Sequence, residues 1–174
     1  TLLTKRTLND STIAVTIGAR KGTYKDMPAN RRYTLKLVAS TVPASVKIDG
    51  TEASYTYDGN NLSVLIDIPD TDCAKEKTVT IAFPQNAAPV ADGLIGKFRH
   101  IQQGCVALKN SNPGFVFNEQ LGTMESTGVA ISYAPQEAEQ RIEAFRHNYA
   151  NLKQVLLESG LEEAEAEQFV QKAY

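Results

Sequence analysis

The stretch Leu62-Ser63-Val64-Leu65-Ile66-Asp67-Ile68 puts Leu62, Val64, Ile66 and Ile68 on one face of an extended chain. Successive side chains of a strand point to opposite faces, so a period of two buries one row and leaves the other free. The alternation recurs on both sides of this stretch. Upstream, Ile13, Val15 and Ile17 alternate with Thr12, Ala14 and Thr16, and Tyr33, Leu35 and Leu37 alternate with Thr34, Lys36 and Val38. Val46 with Ile48, and Tyr55 with Tyr57, make two shorter runs, and Val79, Ile81 and Phe83 line a last one. Asp49-Gly50 and Asp58-Gly59 are hairpin signals, because glycine reaches positive φ without a Cβ penalty. Pro28, Pro43 and Pro69 are placed between strands, where a missing N–H costs no ladder bond. Short strands at this spacing predict an antiparallel sandwich or barrel over residues 1–85, with Leu35, Leu37, Val64, Ile66, Val79 and Ile81 in its core.

The pattern changes near Pro84, and residues 84–89 read as a linker. Beyond it Leu94, Ile95, Phe98, Ile101, Cys105 and Leu108 recur at helical spacing. Gly96 and Gly104 each weaken that helix by about 1 kcal/mol relative to alanine. Asn110 to Gly114 breaks the chain, and Phe115, Phe117, Val129, Ile131 and Tyr133 alternate once more. Residues 86–134 are therefore expected to be a linker with one helix and extended segments. From Pro135 a helix carries the stripe Ile142, Phe145, Tyr149, Leu152 and Leu156, and Ser159-Gly160 stops it. A second helix sets Leu161, Ala164, Phe169 and Val170 against Glu162, Glu163, Glu165 and Glu167. Residues 135–174 are thus predicted as a helical hairpin. The fold class that follows is mainly β with an α-helical tail: an antiparallel β-sandwich, then a helical C-terminal extension.

Of the 174 residues, 42% are hydrophobic and 22% charged, and the net charge is −2. That composition suits a packed globular chain rather than a disordered one. No basic stripe is present, which argues against a nucleic-acid partner, and no apolar run reaches membrane-spanning length. Cys73 and Cys105 have no signature spacing, so two free thiols are favoured over a disulfide, and the compartment stays open.

One segment goes beyond generic strand sequence. It contains Gly22-Thr23-Tyr24, then Arg32-Tyr33, then Pro43-Ala44-Ser45-Val46-Lys47-Ile48-Asp49-Gly50. This series resembles the C-terminal β-domain that follows the catalytic barrel in family 31 glycoside hydrolases, the α-glucosidases and α-xylosidases. The matching positions are Gly22, Tyr24, Arg32, Tyr33, Pro43, Val46, Asp49 and Gly50, within residues 10–85. The resemblance implies a non-catalytic accessory domain whose partner is the barrel of the same polypeptide, in an enzyme that hydrolyses α-glycosidic bonds. The acidic Glu-Asp-Asp-Gly stretch that usually opens the domain is absent, and the helical tail is not a standard part of it. On this reading Thr1 lies inside the domain. The missing strand and missing barrel then imply weak self-association of the isolated chain, as a two-fold dimer.

The sequence carries no recognisable catalytic motif. Retaining glycosidases need two carboxylates flanking the scissile bond. In the family these lie in the barrel, where the nucleophile motif begins with Trp, and this chain contains no Trp. Asp67, Asp70 and Asp72 form the best acidic cluster, but without the glycine and terminal Glu of a calcium loop they read as a strand end. His100 and His147 lack metal-ligand spacing, and Ser11, Ser40 and Ser45 lack a nucleophile elbow. No cofactor and no metal are expected. Tyr24, Tyr55 and Tyr57 are the candidates for sugar stacking, with Tyr24 the best placed because its loop is rich in Gly, Lys and Asp. Two other readings stay open beside the accessory domain: a carbohydrate-binding module, and a protein-interaction module built on the C-terminal helices.

Overall fold

A computed structural model describes residues 2–85, 90 and 92–172. Most of the linker expected at 84–89 lies outside them, as does the end of the tail at 173–174. Among the described residues, two antiparallel sheets with eight strands in all hold 28%, and helices, all in the C-terminal half, hold 39%. The chain divides into two compact units, residues 1–57 with 63–89, and residues 58–62 with 90–174.

The first unit is the predicted sandwich. Its strands are β1 (Leu3–Asn9), β2 (Thr12–Ile17), β3 (Asn30–Leu37), β4 (Ser45–Ile48), β5 (Thr51–Glu52), β6 (Thr56–Asp58), β7 (Ser63–Asp72) and β8 (Lys77–Ala82). One sheet runs β1-β2-β8-β4-β5 and the other β3-β7-β6. Val15, Ile17, Val46, Val79 and Ile81 form the buried row of the larger sheet, and Val64, Ile66 and Ile68 that of the smaller. These are the residues that period-two alternation selects. Ile13 and Ile48 are only half-buried, and so are Leu35 and Leu37. The two leucines lie opposite Ile66 and Val64, but on β3, an edge strand whose row is covered from one side only. β1, a polar stretch, is the other kind of edge, with all seven residues exposed.

Two turn residues do different work from that expected. Pro69 lies inside β7 rather than between strands. The pairing steps from Tyr33↔Ile68 to Arg31↔Thr71, so Pro69 sits in a bulge, where no ladder bond needs its N–H. Asp49 and Gly50 both adopt positive φ, 50° and 83°, and close the β4–β5 hairpin as expected. At the next hairpin it is Leu62, not Gly59, that takes positive φ.

The second unit explains Gly59. It comprises α1 (Leu94–Ser111), α2 (Glu119–Tyr133), a 3₁₀ turn (Pro135–Glu137), α3 (Ala138–Ala150), α4 (Leu152–Glu158) and α5 (Glu163–Gln171), with residues 58–62 among them. A Cβ on Gly59 would lie 2.8 Å from Ile131 Cβ, and one on Gly128 would lie 2.9 Å from Asn60 Cα. The two glycines thus let backbone meet backbone. The Gly59 amide donates to Ser132 Oγ at 2.8 Å, and Gln102 donates to Asn60 Oδ1 at 2.8 Å.

α2 corrects the extended reading of residues 115–133. Asn118 caps it, its side chain accepting from the Leu121 amide at 2.8 Å. Leu121, Met124, Thr127, Gly128 and Ile131 are its buried face, while Val129 and Tyr133 are exposed. Only Phe115 and Phe117 fall in non-helical chain, between α1 and α2. The tail helix stops near Ser159-Gly160 with Gly160 at φ 91°, but it is interrupted at Asn151 between α3 and α4. In α5 the buried residues are Ala166 and Phe169, whereas Ala164 and Val170, expected on the apolar face, are exposed.

Candidate functional site

The loop from Gly18 to Ala29 carries Tyr24. It is stitched to the end of β7 by backbone bonds of 2.8 Å, Arg20 N–H to Cys73 O and Cys73 N–H to Ala29 O. The Arg20 guanidinium donates to the Pro28 carbonyl at 2.8 Å and closes the loop on itself. Gly22 and Asp26 take positive φ, and Tyr24 is 61% exposed.

The other two tyrosines are structural. Tyr57 is 2% exposed, and its hydroxyl donates to Ser40 O at 2.6 Å. A ring with no free face cannot stack on a sugar, so Tyr57 leaves the candidate set. Tyr55 is half-buried and donates to Pro43 O at 2.8 Å, and burial raises its pKa above the usual phenol value. Both hydroxyls pin residues 40–43, Tyr57 from β6 and Tyr55 from the chain just before it. Of the three candidates, Tyr24 alone keeps an exposed ring.

The remaining motif positions are also scaffold. Pro43 is buried and Val46 is 1% exposed. Asp49 receives the Lys77 ammonium at 2.7 Å and the Thr78 amide at 2.9 Å, which fastens the β4–β5 turn to β8. The Lys77 hydrogen bond, followed by the Thr78 amide, holds the Asp49 carboxyl below the usual carboxylate range.

The acidic cluster serves β7. Asp67 accepts from Thr34 Oγ1 at 2.7 Å across the β3–β7 pair, and Asp72 accepts from the Ala74 amide at 2.8 Å. Among the described residues, no three His, Cys, Asp or Glu side chains converge so as to hold a metal ion. No helix among them is long and apolar enough to cross a membrane.

His100 joins three helices. Its Nε2 lies 2.9 Å from the Phe169 carbonyl, which can only accept, so Nε2 carries a proton, and its Nδ1 is hydrogen-bonded to the Tyr149 hydroxyl at 2.7 Å. His147 is exposed. Cys73 and Cys105 are both buried free thiols. Burial, with a smaller contribution from Glu125 and against Lys109, pushes the Cys105 pKa up to about 12. A thiol held neutral in this way is a poor nucleophile.

A feature with no sequence signal lies at one end of the sandwich. The turn between β1 and β2, the chain leaving β8 and the chain before β4 surround an open cleft of about 640 Å³. Asn9, Asp10, Thr41, Phe83, Pro84 and Gln85 line it. They come from three separated stretches, so no local motif announces them.

No model of a known protein family matches the chain, and no curated protein matches it either.

Proposed function

We propose that the chain is a non-catalytic accessory domain of a family 31 glycoside hydrolase, packing beside the catalytic barrel of the same polypeptide. The parent enzyme cleaves α-glycosidic bonds, and this domain stabilises it. The observation that carries the reading is the ordered series Gly22, Tyr24, Arg32, Tyr33, Pro43, Val46, Asp49 and Gly50. Its members occupy positions suited to a scaffold. Gly22 supplies a positive φ, Val46 fills the core, and Asp49-Gly50 turns a hairpin that is fastened to β8. Tyr24 and Arg32 face outward, available to a neighbouring surface.

The test is deletion of this domain from the parent enzyme. The reading predicts a lower Tm with kcat and KM on a small α-glycoside kept at temperatures where both forms are folded. An unchanged Tm with KM raised only on polymeric substrate would overturn it in favour of a carbohydrate-binding module.

A further inference from the structure

The cleft at the end of the sandwich has the chemistry of a ligand site. Its apolar part is the half-buried Phe83 ring with Pro84 beside it, and its rim is polar. Asn9 is held by the next turn, its Oδ1 accepting from Ser11 N at 3.0 Å and from Ser11 Oγ at 3.3 Å. That leaves its Nδ2 donor without a partner among the described residues. The side chains of Asp10, Thr41 and Gln85 also make no hydrogen bond there. The walls are fixed by backbone bonds, Phe83 N–H to Ser11 O at 2.7 Å and Ala44 N–H to Ala82 O at 2.8 Å. A rigid wall loses little freedom when a ligand arrives.

We propose that this cleft binds a neutral saccharide. A sugar ring offers an apolar C–H face for the phenyl ring and a girdle of hydroxyls for amide, carboxylate and hydroxyl groups. Donors and acceptors are mixed on the rim, as hydroxyls require: Asn9 and Gln85 can donate, Asp10 accepts, and Thr41 does both. Among the described residues no Lys, Arg or His lines the cleft, and Asp10 is the one ionisable group there, so a phosphate or carboxylate ligand is disfavoured rather than held. The volume of about 640 Å³ suits one to a few sugar rings. This site is separate from Tyr24, and it goes beyond the packing role proposed above without depending on it.

The experiment is an ¹⁵N-resolved NMR titration of the full 174-residue chain with maltotriose, xylotriose and cellotriose, each up to about 10 mM, and with glucuronate as the charged comparison. At least one neutral sugar should shift the amides of Asn9, Asp10, Ser11, Thr41, Phe83 and Gln85 saturably. Glucuronate should bind at least about tenfold more weakly, and Asp10→Asn should remove that difference. Phe83→Ala should abolish binding. Gln85→Ala, at an exposed position that leaves the fold intact, should weaken it about tenfold. Silence with all three neutral sugars, shifts clustered at Tyr24 instead, or equal binding of glucuronate would each overturn the proposal. None of these outcomes depends on the barrel, so failure here leaves the accessory-domain reading standing.

Discussion

Gly104 is where the helical unit is most sensitive to one added carbon. It lies on α1, is buried, and faces the Phe169 ring of α5. A Cβ built there would sit 2.5 Å from Phe169 Cε2 and 2.9 Å from Cε1, closer than packed carbons approach. The ring has little room to retreat: it is 2% exposed, and the carbonyl of the same residue is held by His100 at 2.9 Å. Gly104→Ala therefore sets two effects against each other. Relief of backbone entropy in a helix stabilises by about 1 kcal/mol. Overpacking against a buried ring costs roughly 1–3 kcal/mol. The balance is a loss of roughly 0–2 kcal/mol, with hydrogen-exchange protection falling first in α5. The decisive measurement is the double-mutant cycle by urea unfolding. In a Phe169→Ala background the clash is gone, so Gly104→Ala should become stabilising by about 1 kcal/mol, and the coupling energy should be roughly 1–3 kcal/mol. A Gly104→Ala that stabilises the otherwise unchanged chain by about 1 kcal/mol, with no coupling to residue 169, would refute the packing described.

Ile66→Ala removes a fully buried side chain from the smaller sheet and should cost about 2–5 kcal/mol, while Leu35→Ala, half-buried opposite it, should cost less; a cost at Ile66 within about 0.5 kcal/mol would mean the strand faces are misassigned. Because the folded Cys105 pKa stands at about 12 against an ordinary 9.0, its contribution to stability is intact below pH 9.0 and is lost as pH rises towards about 12. Cys105→Ser should therefore flatten the pH dependence of urea unfolding in that window, and superimposable slopes would contradict this. The isolated chain should self-associate weakly through the open edge of β1, with a Kd near ~1 mM. A monomer at every concentration up to about 1 mM in light scattering would sink the idea.

The sandwich was legible because burial on one face of a strand writes itself as alternation, and Val64, Ile66, Val79 and Ile81 obey it. The edges were less so. β1 reads as polar because neither of its faces is covered, and β3 shows an alternating row that its edge position only half-buries. α2 was hidden for a different reason. Two of its buried positions are Thr127 and Gly128, which carry no apolar signal, while the exposed Val129 and Tyr133 mimic a strand. Gly128 is there to admit the backbone of Asn60, a contact between residues far apart that no local window contains. Tyr57 dropped out of the candidate tyrosines for a similar reason, since nothing in the sequence says that its hydroxyl reaches Ser40 O, whereas Tyr24 keeps an exposed ring. Turn chemistry was half legible: Asp49-Gly50 closes its hairpin with positive φ, but Gly59 is required by close approach instead.

The central claim is that this domain belongs to an α-glycosidase while carrying none of its chemistry. An antibody raised against the 174-residue chain, used to precipitate the native polypeptide from its source, tests that in a single assay for hydrolysis of chromogenic α-glucosides and α-xylosides. The account predicts an active precipitate whose polypeptide is long enough for an added barrel of about 250 residues, beside an inactive isolated chain. An inactive precipitate, or activity in the isolated chain itself, would contradict it.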